Sequence, residues 1–92
     1  MRVGVIRKHV IVSGSVQGVF FRDSCRQAAQ RHRVTGWVAN REDGSVEAVF
    51  EGDERAVREM VDWVRRGPPQ ARVTGVDVTE ERPEGLSCFA VR

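Results

Sequence analysis

The sequence predicts an α+β sandwich, in which two helices cover one face of a mostly antiparallel sheet. Segments typical of strands and helices follow one another in the order β-α-β-β-α-β, with a short strand after them. The 92 residues include 17 valines and a single leucine, a bias that favours a sheet-rich core over a helical bundle. The pair Asp43-Gly44 between two apolar segments is typical of a tight hairpin.

The first half of the chain is expected to form a strand, a loop, a helix and a second strand. Residues 8–13 are rich in β-branched side chains, which predicts a strand buried on both faces that stops at Gly14. Residues 15–20 predict a loop, residues 21–33 a helix and residues 35–41 the second strand. The apolar stripe of this helix comprises Phe21, Cys25, Ala28, Ala29 and His32.

The second half continues with strand, helix and two strands. Residues 45–51 return from the hairpin as the third strand, and Asp53 is suited to cap a second helix. That helix is expected to end at Gly67-Pro68-Pro69, because proline cannot continue it. Residues 72–79 and 88–92 predict the last two strands. This order is that of the ferredoxin-like fold.

Composition and charge exclude several classes of protein. The net charge of +2 is too small to indicate a nucleic-acid partner, and no apolar segment is long enough to span a membrane. Two cysteines do not indicate a secreted disulfide scaffold, so a cytoplasmic location is expected. This length predicts one domain, residues 7–92, after a loose tail of residues 1–6, and a monomer.

The loop before the first helix has the features of an anion site. The first N–H groups of a helix have no internal partner, and the helix dipole is positive there. Gly14 and Gly18 permit tight turns, and Arg22 on the first helical turn could bind two phosphate oxygens. On spacing alone, the alternative stays open that the glycines only shape a turn and that Arg22 is a surface arginine.

The remaining residues predict no metal site, no cofactor and no obvious nucleophile. His9 and His32 have no acidic cluster beside them in the sequence. Cys25 and Arg31 have the spacing of a cysteine phosphatase, but the residues between them are strong helix formers that would not wrap a phosphate. Cys25 is therefore expected to be a core residue.

A phosphate site without these groups can hydrolyse only a compound whose leaving group is already good. Acyl phosphates qualify, because their leaving group is a carboxylate whose conjugate acid has a pKa of roughly 4. The protein must then hold the phosphoryl group and place a water in line. Asn40, at the end of the second strand, could orient that water. The alternative for Asn40 is to cap the turn at Glu42-Asp43-Gly44.

Two long motifs resemble those of the acylphosphatase family. The first is residues 12–22, and the second is residues 36–40 followed by Gly44, Val46 and Gly52. With Phe89 in the last strand, the resemblance extends over residues 7–92.

This resemblance implies a five-stranded ferredoxin-like sandwich that hydrolyses acyl phosphates without a metal or a phosphoenzyme. It also implies that Arg22 binds the phosphate and that Asn40 orients the water. The implied phosphate cradle is the backbone of Ser15, Val16, Gln17, Gly18, Val19 and Phe20.

Three alternatives have the same fold but a different function. An RNA-binding domain would need aromatic side chains on the third strand, where valine, glutamate and alanine stand at residues 46–49. An accessory domain, as in hydrogenase-maturation proteins that handle carbamoyl phosphate, would bind phosphate without hydrolysing it. A folded relic would do the same, although the presence of both Arg22 and Asn40 favours an active enzyme.

Overall fold

A computed structural model describes residues 4–92, which form five strands and two helices in the predicted order. The elements are β1 (Val5–Ser15), α1 (Phe21–Arg31), β2 (Thr35–Asn40), β3 (Val46–Asp53), α2 (Glu54–Arg66), β4 (Arg72–Glu81) and β5 (Phe89–Val91). The strands lie in the order β4-β1-β3-β2-β5, and only β2 and β5 pair in parallel among these residues. The predicted ferredoxin-like α+β sandwich is confirmed.

The core lies between the sheet and the two helices, which cover one sheet face. On that face, Val10 and Val12 of β1 are fully buried. His9 and Ile11 alternate with them and are only half-buried, so the prediction that β1 is buried on both faces was wrong. The reason is that an antiparallel sheet with helices on one side leaves its other face open to solvent. The helices bury Phe21, Cys25, Ala28, Ala29, Val57, Met60 and Val64.

Strand β1 is longer at both ends than the sequence predicts. It begins at Val5, because Val5 and Ile6 pair with the end of β3. These two residues, expected in the tail, therefore belong to the sheet, and residues 1–3 lie outside the described residues. At its other end, β1 passes through a bulge at Gly14 and continues to Ser15, which pairs with Arg72. A side chain at Gly14 would place its Cβ 2.1 Å from the carbonyl oxygen of Arg72.

Glu51 on β3 joins the segment that leads into β5 to the rest of the sheet. Its buried carboxylate accepts hydrogen bonds from the backbone N–H groups of Glu84, Gly85 and Leu86, at 2.9, 2.6 and 3.1 Å. Arg7 of β1 donates a fourth, at 3.2 Å. Burial by itself raises the pKa of Glu51, but these donors favour the ionised form more strongly and hold the pKa below its usual value.

Because the pKa of Glu51 is lowered in the folded state, its contribution to stability is present above its unfolded pKa and is lost as pH falls through the folded value. We expect Glu51→Gln to lower the free energy of unfolding at pH 7 by about 3 kcal/mol, since the amide leaves donors unpaired. This difference should narrow below a pH of about 4.5. Urea unfolding of the wild type and the variant between pH 3 and pH 7 measures this difference. If the difference in free energy of unfolding stays constant with pH, the ionised role of Glu51 is contradicted.

Candidate active site

Helix α1 begins without a side-chain cap, unlike α2. At α2, the carboxylate of Asp53 accepts hydrogen bonds from the N–H groups of Arg55 and Ala56, at 3.1 and 3.4 Å. At α1, the capping position is Phe20, which has the left-handed angles φ 60° and ψ 27° and no side-chain hydrogen bond to the helix. The positive end of α1 therefore presents N–H groups that could donate hydrogen bonds to a bound anion.

A cavity of about 320 Å³ lies in front of this helix end. It is bounded by the β1–α1 loop, the first turn of α1, and the ends of β2 and β5. Its lining residues are Val16, Gly18, Phe20, Phe21, Arg22, Asp23, Asn40 and Val91. Arg22 and Asn40, which come from different elements, thus line the same space.

The guanidinium of Arg22 is held at the edge of the cavity. Its Nη1 donates a hydrogen bond to the backbone carbonyl of Arg92, at 2.9 Å. Arg92 is itself fixed, because its N–H donates to the carbonyl of Val38 at 2.9 Å and its guanidinium lies 4.4 Å from the centre of the Trp37 ring. One of the five N–H donors of Arg22 is used in this way, and the planar fork stays suited to phosphate oxygens.

Asn40 ends β2, and the hairpin that follows does not need its side chain. The turn is closed by Asp43, whose carboxylate accepts hydrogen bonds from the Oγ and the N–H of Ser45, at 2.6 and 2.9 Å. These bonds lower the pKa of Asp43. Within residues 4–92, the amide of Asn40 makes no hydrogen bond to another residue, so the turn-capping interpretation of Asn40 is not what the structure shows. The amide can instead bind a water in the cavity.

The sequence-predicted residues divide into two groups. Arg22, Asn40, Val16, Gly18 and Phe20 line the cavity. The other three cradle residues do not line it: Ser15 is the last residue of β1, Gln17 binds the hairpin and Val19 packs against the core.

Three lining residues were not among the predicted site residues. Phe21 and Asp23 are sequence neighbours of Arg22 and could have been found by that position. Val91 could not, because only the parallel pairing of β5 with β2 brings it to the site. The carboxylate of Asp23 accepts hydrogen bonds from Arg26 and Gln27, at 2.8 and 3.0 Å, which offsets its charge beside an anion site.

Gln17 connects the loop to the hairpin that follows Asn40. Its side-chain Nε2 donates to the carbonyls of Arg41 and Ser45, at 2.7 and 2.9 Å. This amide therefore fixes the distance between the predicted phosphate cradle and the end of β2.

We expect Gln17→Leu, which keeps the size of the side chain but removes both donors, to lower the free energy of unfolding by about 1–2 kcal/mol. Because the loop and Asn40 would lose their relative position, kcat/KM for an acyl phosphate should fall about tenfold. Urea unfolding and steady-state kinetics measure the two effects. Gln30→Leu is the control, since the amide of Gln30 has only a 3.4 Å contact with Arg26 on the helix surface. Equal effects of the two substitutions would remove any special role for Gln17.

Other reactive side chains lie outside this cavity. Burial raises the pKa of the Cys25 thiol, which keeps it protonated on the buried face of α1. His9 pairs with Glu47 at 2.6 Å, and His32 pairs with Glu59 at 3.2 Å. In the range 4–92, no three His, Cys, Asp or Glu side chains cluster as a metal site would require. The same part of the chain contains no helix that is long and apolar enough to cross a membrane.

The fold and the cavity define a small α+β protein with a candidate anion site at a strand-to-helix junction. Comparison with known proteins identifies its family: the acylphosphatase family model matches residues 8–91. The chain belongs to the acylphosphatase family, as the two sequence motifs implied.

Individual relatives agree with this assignment. An acylphosphatase from Gloeobacter violaceus is 56% identical over 86 residues, which cover 94% of this chain and 92% of the relative. The structure of an acylphosphatase from Coxiella burnetii superposes with a TM-score of 0.93 at 44% identity, covering 97% of this chain and 94% of that one. The chain also matches a crystal structure of T. kodakarensis HypF, with a TM-score of 0.82 and 30% identity, over 95% of this chain but 12% of that one.

Proposed function

We propose that this chain hydrolyses acyl phosphates to a carboxylate and inorganic phosphate, with Arg22 and the start of α1 as the phosphate site and Asn40 as the residue that orients water. Family membership supports the reaction. The observation that carries the residue roles is that Arg22 and Asn40 line one cavity at the uncapped end of α1.

Binding of the phosphoryl group would use charge and dipole together. The first turn of α1 lines the cavity, and the helix dipole places partial positive charge at this end of the helix. Arg22 adds a full positive charge and paired donors at the cavity edge. These groups favour the substrate, and they favour the transition state more, because charge builds up on the phosphoryl oxygens during transfer.

The chemical step would be an in-line attack of water on phosphorus. The water oxygen forms the new P–O bond while the bond between phosphorus and the acyl oxygen breaks, and the electron pair leaves on the carboxylate. The protons of the water leave with the phosphate product. No acid is needed for a carboxylate leaving group, so an amide that orients the water is a sufficient partner for Arg22.

Hydrolysis of benzoyl phosphate by the purified protein tests this proposal. We expect turnover that continues in excess chelator and that inorganic phosphate inhibits competitively. A well-folded protein that gives no hydrolysis above the uncatalysed rate would contradict the proposed reaction.

A second candidate is a domain that binds a phosphate compound without hydrolysing it. The chain matches only 12% of the T. kodakarensis HypF chain, so this fold also occurs as one part of a larger protein. Calorimetric titration with inorganic phosphate and with carbamoyl phosphate distinguishes the two. If the protein binds either compound but releases no inorganic phosphate from carbamoyl phosphate, the result would support the accessory role.

A further inference from the structure

Phe20 is the most exposed of the large apolar side chains in the described residues, with 78% of its surface accessible. Its backbone is in the left-handed region, with φ 60°, where glycine and asparagine are favoured over phenylalanine. It also occupies the capping position of α1, where a serine, threonine, aspartate or asparagine would stabilise the helix. Neither packing nor helix initiation accounts for an aromatic ring at this position.

Phe20 lines the cavity that contains Arg22 and Asn40, and it also lines a smaller cavity of about 210 Å³ beside Pro68 and Pro69. Val91 of β5 lines the first of these cavities, and 43% of its surface is exposed. The side chains of Phe20 and Val91 give that cavity an apolar part beside its phosphate-binding part.

The cavity has a volume of about 320 Å³, and its lining includes apolar side chains as well as Arg22 and Asn40. It can therefore admit substrate atoms beside the phosphoryl group. In an acyl phosphate, the rest of the substrate is the acyl group.

We propose that Phe20, with Val91, binds the acyl group of the substrate and selects acyl phosphates whose acyl group is aromatic. This inference rests on the proposed function. An aromatic acyl group can stack on the Phe20 ring and remove apolar surface of both from water, whereas an acetyl group has too little surface to gain from that contact. Phe20 thus sets which acyl phosphate reacts, while Arg22 and Asn40 act on the part that all acyl phosphates share.

The test is the selectivity ratio, defined as kcat/KM for benzoyl phosphate divided by kcat/KM for acetyl phosphate. We expect Phe20→Ala to lower this ratio about tenfold, mainly through KM for benzoyl phosphate. Alanine keeps a Cβ at the left-handed position, so the backbone cost is the same as for phenylalanine. Phe20→Leu should keep most of the ratio, because leucine restores apolar surface. Any disturbance of the phosphate site lowers both kcat/KM values together and cancels in the ratio.

Val78→Ala is the matched control, since Val78 is an apolar residue of β4 with 37% exposure and does not line the cavity. Its ratio should equal that of the wild type. The inference would be overturned if the selectivity ratio of Phe20→Ala equals that of the wild type, whether or not overall activity is lost. The exposed ring would then point to a protein contact at Phe20.

If the wild type hydrolyses neither substrate, the proposed function fails, and binding then tests the inference separately. Benzoylphosphonate and acetylphosphonate have a carbon–phosphorus bond that water does not cleave. Tighter binding of the benzoyl compound that is lost in Phe20→Ala would support the selection of aromatic groups, and equal binding of the two compounds would overturn it.

Discussion

Arg22→Ala is expected to lower kcat/KM for benzoyl phosphate by about 10³-fold or more, the magnitude typical of an arginine that stabilises a phosphoryl transition state. Both substrate binding and turnover should fall, because the guanidinium interacts with the phosphoryl oxygens in the ground state and more strongly in the transition state. Inorganic phosphate should also inhibit the variant more weakly than the wild type. Steady-state kinetics with phosphate as a competitive inhibitor measure both effects.

Arg55→Ala is the control for this experiment. Arg55 lies on α2 at the other end of the sheet, and its side chain is 89% exposed. Its removal changes the net charge by the same amount as the loss of Arg22 but should leave kcat/KM nearly unchanged. Similar losses in the two variants would mean that general electrostatic attraction, rather than a contact of Arg22 with the substrate, explains the effect.

Asn40→Ala is expected to lower kcat by about 100-fold or more while KM and phosphate inhibition change by less than about twofold. The reason is that Asn40 would act on the attacking water and not on the phosphoryl group. Because the hairpin is closed by Asp43 and Ser45, stability should stay close to that of the wild type.

Unfolding in urea provides the control for Asn40→Ala, since a stable variant with low kcat cannot be explained by loss of structure. A large rise in KM or in the inhibition constant for phosphate, with kcat unchanged, would place Asn40 among the phosphate-binding groups instead.

The elements of the fold that depend on nearby residues were predictable from the sequence. Asp43-Gly44 gave the hairpin, Asp53 the start of α2 and Gly67-Pro68 its end, because turns and caps are set by a few adjacent side chains. The ends of β1 were not predictable in this way. Val5 and Ile6 join the sheet through pairing with β3, a partner more than forty positions away in the chain.

The same distinction applies to the site. Arg22 and Asn40 were predicted as site residues from motifs and from the chemistry that a phosphate requires, and both residues line one cavity. The contribution of Val91 and the contact of Arg22 with Arg92 follow from strand pairing and have no local signal. The left-handed backbone of Phe20 was also not predictable, because the sequence pattern favours glycine or asparagine for that conformation.

The hydrogen bond from Arg22 to Arg92 spans 70 positions of the chain, so the arginine is held in place only after β5 has docked beside β2. A contact of such separation requires the closure of a long loop, which costs entropy and slows folding. Recovery of activity during refolding should therefore follow the docking of the last strand and lag behind the signal of helix formation.

Phosphate that binds only the native chain would also raise the free energy of unfolding, by about 2.7 kcal/mol at a phosphate concentration 100 times the dissociation constant.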